Sequence, residues 1–224
     1  MKERGMIFNG EMVRALLDGR KTQTRRIIKD CTVGRDPISK FIKIGKKFIG
    51  CYPEDVPELI RECCPYGVPG DRIWVRETWA EAGANAPDLK LYRANYPEHV
   101  PSIYENVPPA EEIRWTPSIH MPRTASRILL EITDVRVERL NAISPEDAES
   151  EGLERTNFTG FGDEPGLPSY PEPDVYFDPL KKQWKEYPPE AFAGLWESIY
   201  GADSWQANPW VWVIEFKRVE GGAS

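Results

Sequence analysis

The chain has 224 residues, and its 36 acidic side chains outnumber 29 basic ones for a formal net charge of −7 at pH 7. That length buries a sizeable core without disulfide support, and the acidic balance argues against a protein that coats long nucleic acids by counterion release. No apolar run approaches the ~20 residues of a membrane span and no secretory signal opens the sequence, so a cytoplasmic protein with no membrane partner is expected.

In chain order, Asn9 reads as an N-cap, Met12, Val13 and Leu16 as the apolar face of a short helix, and Gly19 as its left-handed stop. Next comes Gly19-Arg20-Lys21-Thr22-Gln23-Thr24-Arg25-Arg26, which places a Lys and a Thr three residues apart in a turn or strand start. Such a run reads either as a solvated basic turn or as the edge of an anion or nucleotide site, and Lys29, Lys40, Lys43, Lys46 and Lys47 extend the positive charge. Arg72 to Glu77 follows the Pro69-Gly70-Asp71 turn as a strand, with Ile73 and Val75 on one face and Trp74 and Arg76 on the other. Arg127 to Leu140 is a long β-rich run whose alternation slips at Thr133-Asp134, which predicts a bulge or tight bend.

Ser144-Pro145-Glu146-Asp147 opens a short helix by an N-cap hydroxyl, Pro at the first position and acids in the first turn, and Gly152 ends it. A second amphipathic helix is predicted from about Pro189 to Tyr200, with Phe192, Leu195, Trp196 and Ile199 on one face and Gly201 as its stop. Trp210 to Lys217 is the clearest strand, buried at one end and half-exposed at the other.

Three insert-like segments separate these elements: 30–68, 81–117 and 156–188. Segments this long are functional lids or partly disordered loops, and the aromatics Phe158, Phe161, Tyr170, Tyr176, Phe177 and Trp184 favour an ordered lid in the third. Cys31, Cys51, Cys63 and Cys64 lack a paired C-x-x-C rhythm and read as free buried thiols, so neither a metal nor a cofactor is expected. The element order predicts an α+β fold over a single domain, 1–224: a small mostly-β barrel with flanking helices and long inserted loops.

For chemistry, Lys21, Thr24 and Glu151 belong together. Thr becomes a nucleophile only when a base removes its proton, a desolvated Lys can be that base, and a carboxylate can orient the amine or protonate a leaving group. Glu151 sits at a helix C-terminus, where the dipole disfavours it. It is either an ordinary exposed Glu or a residue with another reason for its position. Trp79 and Trp205 are candidates for stacking on a base. Arg76, Glu77, Arg123 and His120 are candidates for its polar edge or a phosphate, and Arg20 and Arg26 flank the Lys/Thr pair.

The pattern Gly19-Arg20-Lys21-Thr22-x-Thr24-x-Arg26, the Gly70-Asp71 turn before a strand, Ala148-Glu149-x-Glu151-Gly152 and the closing Val213-Ile214-Glu215-Phe216-Lys217 strand resemble the ASCH domain family of the PUA-like superfamily. The resemblance covers about half the chain, in 6–29, 70–80, 123–153 and 190–219. Cys64-Pro65-Tyr66-Gly67, Trp74-Val75-Arg76-Glu77-Thr78-Trp79 and Ser118-Ile119-His120-Met121-Pro122-Arg123 look like the longer ASCH proteins of tailed phages and prophages. The resemblance implies a PUA-like barrel. It also implies an amidohydrolase that removes the acetyl group from acetylated cytidine, with Lys21 as proton acceptor, Thr24 as nucleophile and Glu151 as proton donor. Other members imply a ribonuclease, or a non-catalytic reader of single-stranded RNA or modified bases. The three insertions depart from the short amidohydrolase members.

Overall fold

Local signals work where the sequence places them. Asn9 Oδ1 accepts a hydrogen bond from Met12 N at 2.8 Å, helix α1 spans Gly10–Leu17 with Val13, Ala15 and Leu16 buried, and Gly19 leaves it at φ +76°. The structure is a computed structural model that describes residues 1–29, 31–33, 40–44, 47–51, 64–83, 86–104, 106–157 and 174–219. Phe158, Phe161, Tyr170 and Cys63 lie outside the described residues. The architecture is mixed α+β, and the chain divides into two compact units. The first comprises Met1–Thr22, Glu58–Val135 and Ile214–Ser224; the second comprises Gln23–Pro57 and Arg136–Val213.

In the first unit, β1 (Glu3–Ile7) runs parallel to β6 (Arg72–Arg76), in register from Glu3 opposite Arg72 to Ile7 opposite Arg76. β6 is antiparallel to the start of β9 (Leu129–Arg139), where Trp74 faces Leu129. Ile73 and Val75 are fully buried while Trp74 and Arg76 are half-buried, as the alternation predicts. The turn before β6 is fixed by Asp71, which accepts from Lys2 N at 2.7 Å and Arg4 Nη1 at 2.9 Å. Burial raises the Cys64 thiol above its ordinary range, the behaviour of an inert core sulfur.

Much of 81–117 is built rather than loose. β7 (Trp79–Glu81) pairs with β8 (Lys90–Tyr92), and Trp79 exchanges backbone hydrogen bonds with Thr116 at 3.2 and 2.7 Å. Tyr92 N donates to His99 Nε2 at 3.1 Å, and Trp115 Nε1 donates to Ala110 O at 2.9 Å.

In the second unit, β2 (Gln23–Ile27) follows α1 in the chain, and β3 (Cys31–Val33), β4 (Lys40–Ile44) and β5 (Lys47–Cys51) pair as an antiparallel meander. That stretch was expected as an insert-like segment. α2 (Pro145–Ser150) starts where Ser144 Oγ accepts from Asp147 N at 3.1 Å. β10 (Arg155–Asn157), β11 (Asp174–Asp178) and β12 (Gln183–Lys185) make a second antiparallel sheet inside the third predicted insert. α3 (Pro188–Tyr200) lays Phe192, Leu195 and Trp196 into a core shared with Leu140, Val211 and Val213. Ile199 is 38% exposed, contrary to the predicted face. Tyr200 continues that face instead, its ring 4.2 Å from that of Trp196.

β9 and β13 (Trp210–Arg218) pass from one unit into the other along the chain. Within the first unit the strand order is β1-β6-β9-β13, and within the second it is β9-β13-β2. Among the described residues β1 and β2 each have a single neighbour in that order, so the hydrogen-bonded strands do not close on themselves. Along β9, Leu130 and Ile132 are buried and the next buried residue is Val135, so the apolar phase slips by one residue at the predicted Thr133-Asp134 position.

Candidate functional site

Gln23, Thr24 and Arg25 are three consecutive polar residues on β2, and all are buried, Thr24 to 1% exposure. A strand that buries such side chains must satisfy them locally, and α2 together with the end of β9 supplies the partners. Gln23 Nε2 donates to Asp147 O at 2.6 Å. Arg25 donates from Nη2 to Asp147 Oδ2 at 2.7 Å and to Glu138 Oε2 at 3.3 Å, and from Nη1 to Glu151 Oε1 at 3.2 Å. Its guanidinium carbon also lies 5.9 Å from the Phe192 ring centre, and Arg25 Nε is buried without an acceptor.

Arg136 completes the network, donating from Nε to Glu138 Oε1 and from Nη2 to Asp147 Oδ2, both at 2.6 Å. Two guanidinium groups thus serve three carboxylates, one negative charge in excess within the network. Burial works against the charged form of Asp147, yet the hydrogen bonds from Arg25 and Arg136 outweigh it and hold the carboxyl below the usual carboxylate range. Burial likewise opposes the Arg136 charge, and its bonds to Glu138 and Asp147 again win, leaving it raised. The tight N–H···O geometry is that of charge-assisted pairs, which fix side chains more firmly than neutral bonds do.

This geometry answers the oddity of Glu151. It is the C-cap residue of α2 and only 3% exposed, and the Arg25 guanidinium that holds it there offsets the unfavourable helix end. Through Arg25, the strand that carries Thr24 also anchors Glu151. Lys21 is 3% exposed, and its N–H bonds Ala15 O at 3.0 Å in the first unit, whereas Thr24 and Glu151 belong to the second. The solvated-turn reading of Lys21 to Arg25 is excluded, because Lys21, Gln23, Thr24 and Arg25 are all buried.

The remaining candidates have other duties. Trp79 belongs to a core cluster with Tyr92, Met121 and Ala125, so it is not a stacking surface. Arg76 bonds Ser118 O at 3.2 Å and also the Ile119 carbonyl, and it packs over the Trp74 ring at 5.3 Å. Arg123 pairs with Glu3 at 2.9 Å, and Arg20 pairs with Asp18 at 3.0 Å. His120 is exposed on the short turn Ser118–His120, and Arg26 is half-buried. Glu77 is 1% exposed and receives a two-pronged pair from Arg127 Nε and Nη2, each at 2.9 Å. Trp205 packs its ring 6.1 Å from that of Phe192, against the core of the second unit.

Sequence reading missed Arg25, Arg136, Glu138 and Asp147 as members of a site. The available signal was the run Gln23-Thr24-Arg25 in a strand that must bury residues on both faces. Among the described residues no group of three or more His, Cys, Asp or Glu side chains is placed to hold a metal ion, and no helix is long and apolar enough to cross a membrane. Comparison with family models, with curated proteins and with solved structures returns no match.

Proposed function

We propose that this chain is an ASCH-type, PUA-like protein that hydrolyses an amide on a modified nucleobase, of the acetylated-cytidine kind. The observation that supports it is the burial of the three side chains the chemistry needs, Lys21 at 3%, Thr24 at 1% and Glu151 at 3% exposure, since a desolvated Lys can serve as the base for a Thr hydroxyl. In this reading Thr24 Oγ attacks the acetyl carbon. Lys21, three residues earlier in sequence, takes the hydroxyl proton, Glu151 protonates the departing amine, and water then releases acetate. The Arg25/Asp147/Arg136 network acts as the positioning layer that keeps Glu151 in place, and the substrate is a nucleoside, a nucleotide or single-stranded RNA carrying the acyl group.

The test is mass-spectrometric detection of cytidine formed from acetylcytidine by purified protein. The wild type is expected to release it, and Thr24→Ala and Lys21→Ala to reduce release at least a hundredfold, in the range typical of losing a nucleophile or its base. Product formation by Thr24→Ala at the wild-type rate overturns the nucleophile assignment. Binding of acetylcytidine with no product by the wild type establishes the reader role in place of hydrolysis.

A further inference from the structure

The first unit holds a cavity of about 280 Å³ lined by Gly10, Arg14, Glu77, Thr78, Arg93 and Ala94. Three segments meet there: the first turns of α1, the residues after β6, and the short turn Arg93–Asn95 that follows β8. Arg93 N bonds Thr78 O at 3.0 Å, and Arg14 Nη1 bonds Ala94 O at 2.9 Å, so all three segments are tied together and the Arg14 guanidinium is pinned to the wall.

The charge balance of this cavity is unusual for an acidic chain. The carboxylate of Glu77 is matched by Arg127, which is itself held by Asn95 Oδ1 at 2.9 Å and lies 4.0 Å over the Tyr92 ring. Arg14 and Arg93 have no carboxylate partner among the described residues. Both arginines are exposed, and an anion within reach of both accepts a charge-assisted bond from each. A phosphate monoester carries up to two negative charges and so matches both, whereas a carboxylate matches one.

Glu77 then sets what may be attached to the phosphate. Each of its oxygens accepts one hydrogen bond from Arg127 and retains acceptor capacity, so it receives a ligand hydroxyl and rejects a second anionic group. Thr78, also on the lining, carries a hydroxyl that can donate to the ligand. The volume lies at the lower edge of small-molecule sites, too small for a polymer.

We propose that this cavity binds the phosphate end of a small phosphorylated polyol or sugar, with phosphate between Arg14 and Arg93 and hydroxyls toward Glu77. The proposal is independent of amide hydrolysis, and neither Thr24 nor Glu151 enters its test.

The experiment is calorimetric titration of the full chain with glycerol 3-phosphate and glucose 1-phosphate, against glycerol, glucose and inorganic phosphate. At least one phosphomonoester is expected to bind ten times or more tightly than its unphosphorylated parent, and more tightly than inorganic phosphate. Arg93→Gln, which breaks no side-chain hydrogen bond or ion pair in the structure, is expected to weaken that binding at least tenfold with an unchanged melting temperature. Thr78→Val is expected to weaken it a few-fold. Absence of phosphomonoester binding, or binding untouched by Arg93→Gln, overturns the site. Inorganic phosphate binding as tightly as the esters overturns the role of Glu77.

Discussion

The two units bury carboxylates in opposite ways. In the second unit both arginines of the network, Arg25 and Arg136, are bonded to carboxylates, those of Glu138, Asp147 and Glu151. In the first unit Glu77 is just as buried and just as firmly held by one arginine, yet it borders a cavity on which two further arginines stand without carboxylates. Arginines bonded to carboxylates fix positions, and arginines without carboxylates beside a cavity have charge to offer a ligand. Removing a cation should therefore cost folding stability in the second unit and binding in the first.

The largest effect is expected from Arg25→Met, which removes the buried guanidinium that bonds Glu138, Asp147 and Glu151. Breaking a buried pair from one side typically costs about 3–5 kcal/mol, because the abandoned charge stays desolvated. Chemical denaturation should show a loss of that size, and Arg93→Gln a change within about 0.5 kcal/mol, as for surface positions generally. Equal, small losses in both variants would erase the distinction between the units.

A smaller effect is expected from Asp147→Asn, about 2 kcal/mol at neutral pH, since Asp147 is partly solvated but accepts from both Arg25 and Arg136. Its pH dependence follows from the depressed folded-state value. The stability it contributes is complete above the unfolded carboxyl value of about 3.9 and disappears as the pH falls through the lower folded one. Denaturation midpoints measured from pH 6 down to pH 2 should fall more steeply for wild type than for Asp147→Asn. Parallel curves would mean that Asp147 titrates alike in folded and unfolded chains.

What the sequence reveals and conceals follows the range of the interactions. Asn9, Gly19, Ser144, Pro145 and Gly152 act within a turn of themselves, so the ends of α1 and α2 were readable. The partners of Gln23 and Arg25 lie 113 to 126 positions away along the chain, and no local pattern distinguishes such a buried polar run from a solvated one. Asp147 looked like an ordinary acid serving the helix dipole. Only Glu151 announced a distant partner, because its place at a helix end was locally unfavourable. The β3–β5 meander was hidden for a related reason, since its strands are short and β4 and β5 begin on Lys.

The smallest of the expected effects turns on a third way of burying a carboxylate. Asp178 is 1% exposed, and its Oδ1 accepts from the backbone of Leu180 and Lys181 at 2.9 and 3.0 Å. Its carboxylate lies against Gly194 of α3, where any Cβ would strike the carboxylate oxygens. Two terms of opposite sign compete in Gly194→Ala. Helix propensity favours Ala by about 1 kcal/mol, while expelling Asp178 forfeits two charge-assisted bonds and strands buried N–H groups, a larger loss. The net is expected to be a destabilisation of about 1–2 kcal/mol by denaturation. In an Asp178→Ala background the same Gly194→Ala change should stabilise by about 1 kcal/mol, because only the propensity term survives. A stabilising Gly194→Ala in the wild-type background would show that the carboxylate leaves its place at no cost, and that backbone N–H groups hold a buried charge less firmly than the Arg25 network does.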